Sequence, residues 1–473
     1  MINSGDYRKL DWPLIVCYLV LCFIGWISIY SSVYDDEHSN ILDFSQRYGM
    51  QFIWIVSSIA IAITIVFVIN PKIYLPLSMI IYSFALFLLF TVIFLGIEVN
   101  GSRSWFEFGP VRFQPAELSK IATSLALAYL LSSYEFKGRS LEGIVKTALL
   151  ILIPVILIIM QKETGSALIY AAFILVLYRE GLSGWLISFG VLAIVLFLVT
   201  IGTSPYYAMI ILFSVLIVAR GLFMKKIFLH ILFALLFLPI MVLSEKVGNR
   251  LLPELNLSAE AWLAIVMAPP LIYHIISAFK VKLRYLRYIT LCFIVSVVAI
   301  FSVELFFNNV LKEHQRVRIE NLLGVNVDLQ GAGYNVHQSK IAIGSGGLSG
   351  KGFMQGTQTR FDFVPEQSTD FIFCTVGEEW GFLGSTILIL LFVFLITRII
   401  ILAEKQKETF NRLFGYCLAS VLFLHFIINI GMTIGIMPVI GIPLPFISYG
   451  GSSLWSFTTF LFIFIRLDLD RKQ

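Results

Sequence analysis

Apolar runs of about 20 residues, separated by short polar connections, recur along the whole chain. They fall near 13–32, 48–69, 73–97, 114–133, 144–161, 164–180, 183–202, 205–224, 226–245, 261–279, 286–309, 382–402, 411–433 and 452–466. Each has the length and composition of a bilayer-crossing helix, so the pattern predicts an all-α fold, a polytopic integral membrane helical bundle of about 14 spans. The short alternating segments of a membrane β-barrel are absent. An even number of spans puts both termini on one side. The first run, 13–32, is too long for a signal-peptide core and has no small-x-small exit, so it reads as an uncleaved span.

The polar connections carry a second pattern. With the N-terminus inside, the inner connections hold Arg8, Lys9, Lys72, Lys137, Arg139, Lys225, Lys226, Lys280, Lys282, Arg284, Lys405, Lys407, Arg471 and Lys472. The first outer loop holds Asp35, Asp36 and Glu37 against Arg47, while Lys246 and Arg250 depart from the bias. This orientation brings 98–113, a large loop at 310–381 and 434–451 together on the outer face. Most of the unusual polar chemistry sits in those three stretches. By contrast, 203–309 holds about four apolar segments and no motif that suggests chemistry, and reads as inserted, lipid-facing spans within a single membrane domain covering 1–473.

Composition narrows the function classes. Hydrophobic residues make up 58% of the 473 and charged residues 13%, with a mean hydropathy of +0.89. A net charge of +5, with Lys and Arg distributed between apolar segments, gives no basic face for nucleic acid. Cys17, Cys22, Cys292, Cys374 and Cys417 show no CxxC spacing and read as small buried hydrophobes.

Several polar groups lie where a bilayer makes them costly. Glu117, Lys120 and Ser124 share one helix face at i, i+3 and i+7. Either they form a self-contained intrahelical ion pair, or they line a cavity with Arg103, Trp105 and Arg112. Gln161, Lys162 and Glu163 read as a helix-end charge pair. Arg316 and Arg318 suit a pyrophosphate, which a guanidinium fork grips bidentately, or serve as interfacial anchors. The glycines of 344–352 meet no Walker A spacing and read as a hinged outer loop.

In VPEQSTDFIF (364–373), Pro365 suits a helix start, and Phe371, Ile372 and Phe373 anchor the next turn in the membrane. Asp370 then sits at the water–lipid boundary, where desolvation raises a carboxylate's basicity toward that of a general base. The alternative is that Asp370 and Thr369 merely cap the helix. Glu366, Glu378 and Glu379 are the competing carboxylates. From Asn429 to Ser453, Pro438, Pro443, Pro445 and the Gly450–Gly451 pair preclude one continuous helix, so a re-entrant segment beneath the outer loops is expected.

The chain resembles the bacterial SEDS family (shape, elongation, division, sporulation). The resemblance lies in FQPAELSK (113–120), QSKIAIGSGGLSGKG (338–352), GTQ (356–358), VPEQSTDFIF (364–373), GEEWGFLG (377–384) and MPVIGIPLPFISYGGSS (437–453). It covers most of 10–202 and 310–468 and lapses over about 203–309, beyond the family's usual ten spans. The lead-in MPVIGIPLP is nearer the elongation branch than the division branch.

The resemblance implies polymerisation of lipid II into glycan strands at the outer face of the bacterial cytoplasmic membrane. A GlcNAc 4-hydroxyl attacks a MurNAc anomeric carbon, and undecaprenyl pyrophosphate leaves. The family's essential aspartate falls on Asp370, and displacement from an α-linked donor gives a β-linkage. The implied substrate-binding residues are Arg103, Trp105, Glu117, Lys120, Arg316, Arg318, Gln338, Lys340, Glu366, Thr369, Ser448 and Ser452. Arg316, Arg318, Arg103 or Lys120 would balance leaving-group charge, with or without a divalent cation such as Mg or Mn; no other cofactor is expected.

Two motifs depart from the family: Ser104 stands before Trp105 where an arginine is usual, and QKETGS (161–166) replaces QPDLGT, with Glu163 for the aspartate. The implied partners are a class B penicillin-binding transpeptidase and the elongation machinery. The competing functions are a lipid II flippase, a division-type polymerase of the same family, and a scaffold without chemistry.

Overall fold

The computed structural model describes residues 9–34, 40–99, 101–109, 111–133, 141–182, 184–255, 257–280, 284–309, 313–323 and 333–471. Arg8, Asp35, Asp36, Glu37, Lys137, Arg139, Lys282 and Lys472 lie outside the described residues. The chain forms two compact units, one from Met1–Ser183 with Tyr334–Gln473, the other from Gly184–Gly333. The second unit therefore begins and ends outside the 203–309 stretch expected as an insertion.

The first unit opens with α1 (Trp12–Ser32), α2 (Arg47–Phe67) and α3 (Tyr74–Leu95). Strands β1 (Ile97–Val99), β2 (Ser102–Phe108) and β3 (Val111–Phe113) follow, then α4 (Pro115–Ser132), α5 (Leu141–Met160), α6 (Thr164–Ile169) and α7 (Ala172–Arg179). The second unit holds α8 (Gly184–Gly202), α9 (Pro205–Phe223), α10 (Ile227–Val242), α11 (Ser244–Leu251), α12 (Ala259–Lys280), α13 (Arg284–Asn309) and α14 (Glu313–Leu323). The chain returns to the first unit as α15 (Tyr334–Ser345), α16 (Thr357–Arg360), α17 (Ile372–Glu404), α18 (Thr409–Thr433) and α19 (Gly451–Arg471).

Among the described residues, 10 helices are long and apolar enough to cross a membrane, or 11 if α10 and α11, bent by 51°, count as one span. The protein is a multi-pass membrane protein. The four expected segments that fall outside the ten have physical reasons to do so. Helix α4 is diluted by Glu117, Lys120 and several hydroxyls. The 164–180 segment breaks between α6 and α7, and the apolar part of α8, Gly190–Gly202, is short. The 226–245 segment bends into the polar α11.

The prediction of an all-α chain misses one feature. Residues 97–113 form a three-stranded antiparallel sheet in the order β1–β2–β3, with Phe106 opposite Phe113. Its two turns use Gly101 (φ 79°) and Gly109 (φ 63°) in the left-handed region that glycine tolerates. Nor is 310–381 one loop: α14 belongs to the second unit, while α15 and α16 belong to the first.

Polar groups concentrate in the helices that lipid does not reach. In α19, 83% of the spanning window is buried, and in α18 67%, against 33% in α2 and 28% in α3. Helix α4 is buried almost all round. Elsewhere in this unit, polar side chains tie the helices together. Arg398 in α17 grips the Asp11 carboxylate at 3.1 and 2.6 Å, and Gln406 donates to Asp468 at 2.8 Å. Asp11 also accepts from the Leu14 amide at 3.2 Å, capping α1. Each unit has its own apolar core.

Candidate active site

The 364–373 stretch folds into a run of turns ahead of α17. Pro365 opens this run and not the helix: α17 begins at Ile372, and its N-cap is Phe371. Neither Asp370 nor Thr369 therefore holds the cap position. The Glu366 carbonyl accepts both the Thr369 and Phe371 amides, at 3.1 and 3.2 Å, and Glu366 takes φ 55° to close that turn. Thr369 turns its hydroxyl onto Glu366 Oε2 at 3.0 Å. Phe371, Ile372 and Phe373 are buried, so the turn is anchored by apolar side chains while Asp370 stays half-buried.

Residues 434–450 form the seat for this turn. They contain no helix and lie between α18 and α19. Side chains replace the missing backbone ladder. Asn429 Nδ2 donates to the carbonyls of Asp370 and Ile442, each at 2.8 Å. Ser448 Oγ donates to the Thr369 carbonyl at 2.6 Å and accepts from the Leu444 amide at 2.8 Å. The Tyr449 amide donates to the Ser368 carbonyl at 2.9 Å, and Arg47 Nη1 donates to Ser368 Oγ at 2.7 Å. A Cβ on Gly441 (φ 76°) would lie 3.3 Å from Asp370 Oδ2, so the carboxylate packs against bare backbone. The expected re-entrant segment is thus irregular chain whose polar groups bind the Asp370 turn.

Below the seat, Lys120 Nζ donates to Glu117 Oε1 at 2.7 Å and lies 2.9 Å from His425 Nε2. An ammonium only donates, so His425 Nε2 accepts and its Nδ1–H points at the Pro443 carbonyl, 3.2 Å away. The three side chains are 2%, 3% and 1% exposed for Lys120, Glu117 and His425, which makes this a sealed ion pair with a neutral relay. Lys120 also sits 5.1 Å from the Phe457 ring centroid. The ion-pair reading of Glu117 and Lys120 is realised, and the pair additionally reaches Pro443 of the seat.

Glu378 and Glu379 have other work. Glu378 is fully buried and accepts from the amides of Thr357, Gln358 and Thr359 at 2.8, 2.9 and 2.9 Å, and from Lys351 Nζ at 2.7 Å. The GTQ stretch is therefore wrapped round one carboxylate. Glu379 accepts from Ser31 Oγ, and from the Met354 amide at 3.1 Å. The glycine-rich 344–352 stretch is no hinge: it docks on α17 where Gly381 (φ 62°) breaks the helix. Lys351 and Gly352 donate to the carbonyls of Glu378 and Glu379, both at 3.0 Å. A Cβ on Gly346 or Gly350 would fall 2.0 Å from a carbonyl oxygen of α17.

The remaining candidates are dispersed. On the sheet, Arg103 pairs with Glu98 at 3.4 Å and Arg112 with Glu107 at 3.0 Å, both exposed; Trp105 is half-buried. Ser452 accepts from the Gln114 amide at 3.0 Å. Glu163, at the end of α5, is held by Gln114 Nε2 at 2.5 Å and by Ser166, and burial raises its carboxyl above the usual range. Gln338 is half-buried, and the exposed Lys340 lays its stem over Gly435. Arg316 and Arg318 lie on α14 in the second unit; Arg316 faces Glu320 at 3.9 Å and the Phe307 ring at 5.2 Å. Among the described residues, no group of three or more His, Cys, Asp or Glu is placed to hold a metal ion.

Sequence reasoning missed His425, Asn429 and Arg47. The first two stand at i and i+4 in the apolar stretch 421–432 of α18, the same signal of an intramembrane polar face that singled out Glu117 and Lys120.

A family model described as "Cell cycle protein", covering FtsW, RodA and SpoVE, matches residues 11–216 and 223–473. The chain belongs to the SEDS family. It is 31% identical to the peptidoglycan glycosyltransferase RodA of Treponema pallidum over 450 residues, 94% of each chain. To the peptidoglycan glycosyltransferase MrdB of Escherichia coli K12 it is 30% identical over 402 residues, 84% of this chain and 80% of that one. Two solved structures share the SEDS fold. A chain from a peptidoglycan synthase complex that coordinates polymerization and crosslinking aligns at TM-score 0.61 with 23% identity, covering 98% of this chain and 99% of that chain. The rod shape determining protein RodA of Thermus thermophilus aligns at TM-score 0.53 with 23% identity, covering 98% of each.

Proposed function

We propose that this SEDS protein is a peptidoglycan glycosyltransferase that polymerises lipid II during cell elongation, with Asp370 as its base. The observation that carries the mechanism is the mounting of Asp370. Its peptide is held by Asn429, its neighbour Thr369 by Ser448, and its carboxylate packs on Gly441, yet the side chain stays half-exposed. A base needs this combination of fixed position and access.

The acceptor 4-hydroxyl gives its proton to an Asp370 carboxylate oxygen as its own oxygen forms the bond to the donor's anomeric carbon. The bond from that carbon to the pyrophosphate oxygen breaks, and the leaving diphosphate takes the electron pair. Pyrophosphate leaves without a paired acid, so the remaining demand is for cations. Lys340, over Gly435 at the start of the seat, is suited to that role. Lys120 is committed to Glu117 and His425, and we assign it to positioning the seat. Arg103, in the same unit as Asp370, remains a candidate for binding the lipid diphosphate, whereas Arg316 and Arg318 belong to the second unit and are given no role at this site.

The site lies at the outer face of the cytoplasmic membrane, and the working partner is a class B penicillin-binding transpeptidase. What supports this is the naming of the relatives as peptidoglycan glycosyltransferases and the likeness to a chain of a peptidoglycan synthase complex. The test is polymerisation of lipid II by the purified full chain with its transpeptidase. Asp370→Asn should abolish glycan formation while the variant elutes and melts as the parent does. Glycan made at parental rate by that variant refutes the mechanism.

A further inference from the structure

The second unit carries a buried cation that the proposed reaction does not use. Arg220, in the last turn of α9, is 7% exposed. Its Nη1 donates to His274 Nδ1 at 3.0 Å and to Ser277 Oγ at 2.6 Å, both on α12. A guanidinium cannot accept, so His274 Nδ1 is the acceptor and the ring is neutral, with its proton on Nε2. That Nε2 donates to Thr290 Oγ1 on α13 at 2.9 Å, and Thr290 passes its own proton to the Leu286 carbonyl at 2.8 Å. Ser277 likewise donates to the His274 carbonyl at 2.8 Å. The histidine, serine and threonine of this array are all hydrogen-bonded, and every partner of the arginine is neutral.

Two facts make the array a site. Nη1 is saturated by its two acceptors, but Nε and Nη2 have no protein acceptor among the described residues, and neither is a sealed orphan atom. Those two nitrogens form the edge of the fork that grips two oxygens of a phosphate side by side. The guanidinium lies 4.9 Å from the ring centroid of Tyr273, a residue 67% exposed, so the fork sits beside the outer surface of the bundle.

The charge distribution of the unit then selects the ligand. Short connections put the end of α9, the start of α10, the end of α12 and the start of α13 at one end of the bundle. Lys225, Lys226 and Arg287 lie at that end, and the sequence has no Asp or Glu from 184 to 244 or from 261 to 303. The unit's described carboxylates, from Glu245 to Glu260 and from Glu304 to Glu320, belong to the opposite end. A buried positive charge without a carboxylate is costly unless an anion is supplied from outside. The array lies within two turns of the helix ends, the depth of a lipid phosphate.

We propose that Arg220, seated on Tyr273 and fixed by His274 and Ser277, binds the phosphate of an anionic glycerophospholipid at the basic end of the second unit. The same fork would accept free phosphate, so the experiment separates the sources. The purified full chain is exchanged into mixed micelles of phosphatidylglycerol and phosphatidylcholine, and retained lipid is counted by native mass spectrometry. The expected result is selective retention of phosphatidylglycerol, at least tenfold weaker in Arg220→Gln, only partly restored in Arg220→Lys, which keeps the charge and loses the fork, and not displaced by millimolar inorganic phosphate. Equal retention of the two lipids by the parent protein, or parental retention by Arg220→Gln, overturns the proposal; displacement by inorganic phosphate overturns the lipid assignment. Should Arg220→Gln fail to fold, Tyr273→Leu replaces it. Selectivity reduced several-fold supports the site, and unchanged selectivity overturns it.

Discussion

The side-chain amide of Asn429 lies 2.8 Å from the carbonyl oxygens of both Asp370 and Ile442, so one nitrogen on α18 fixes the proposed base to the irregular segment beneath it. The two donated bonds use both amide hydrogens, and a residue with fewer donors cannot keep both contacts. Asn429→Ala should lower kcat for lipid II polymerisation by about 10²-fold, the scale of losing alignment at a reacting group. Asn429→Asp, which cannot donate from an ionised carboxylate, should behave like the alanine variant, and Asn429→Gln should recover part of the loss. A parental kcat in the alanine variant would show that the clamp does not position Asp370.

Lys120 and Glu117 form a sealed pair, and removing one charge leaves the other buried and unpaired. Lys120→Met should destabilise the protein by about 3–5 kcal/mol, read as a lower midpoint in detergent-based thermal unfolding. The double variant Lys120→Met/Glu117→Leu should regain most of that stability, because an apolar pair of similar volume avoids the desolvation cost. Equal destabilisation in the single and double variants would contradict a compensated ion pair.

Glu378 gathers three amides and Lys351 Nζ around one buried carboxylate. Glu378→Gln replaces one acceptor oxygen with a donor that faces N–H groups. Exchange of the 351–359 amides in hydrogen–deuterium measurements should rise by at least tenfold, a loss of about 1.4 kcal/mol in local opening. Unchanged protection there would mean the loop is held by other contacts.

The glycines of 344–352 separate by cause. Gly346→Ala and Gly350→Ala each put a methyl 2.0 Å from a carbonyl of α17, and should cost several kcal/mol or prevent folding. Gly344, on the helix α15 with open space at its Cβ position, should accept alanine and gain about 0.5–1 kcal/mol. Midpoints from thermal unfolding of the variants distinguish them, and a tolerated Gly350→Ala would refute the docked-turn account.

Much of this protein was legible in its residues. Apolar run length alone determined a polytopic helical membrane protein, since a bilayer leaves the backbone no alternative. The cost of ions in a bilayer singled out Glu117 and Lys120, and three prolines with a Gly–Gly pair predicted that 434–450 is not helical. What tertiary structure decided is which polar group meets which. Glu378 and Asp370 look alike in sequence, each a carboxylate beside apolar neighbours. One is enclosed by the amides of 357–359 and the other left half-open on Gly441. Those partners are distant in the chain, and no local period encodes them. The same limit hid His425 and Asn429, whose bonds run to Pro443 and Asp370, and the division into two units, because hydropathy records how much of a helix avoids water and not which neighbour covers it.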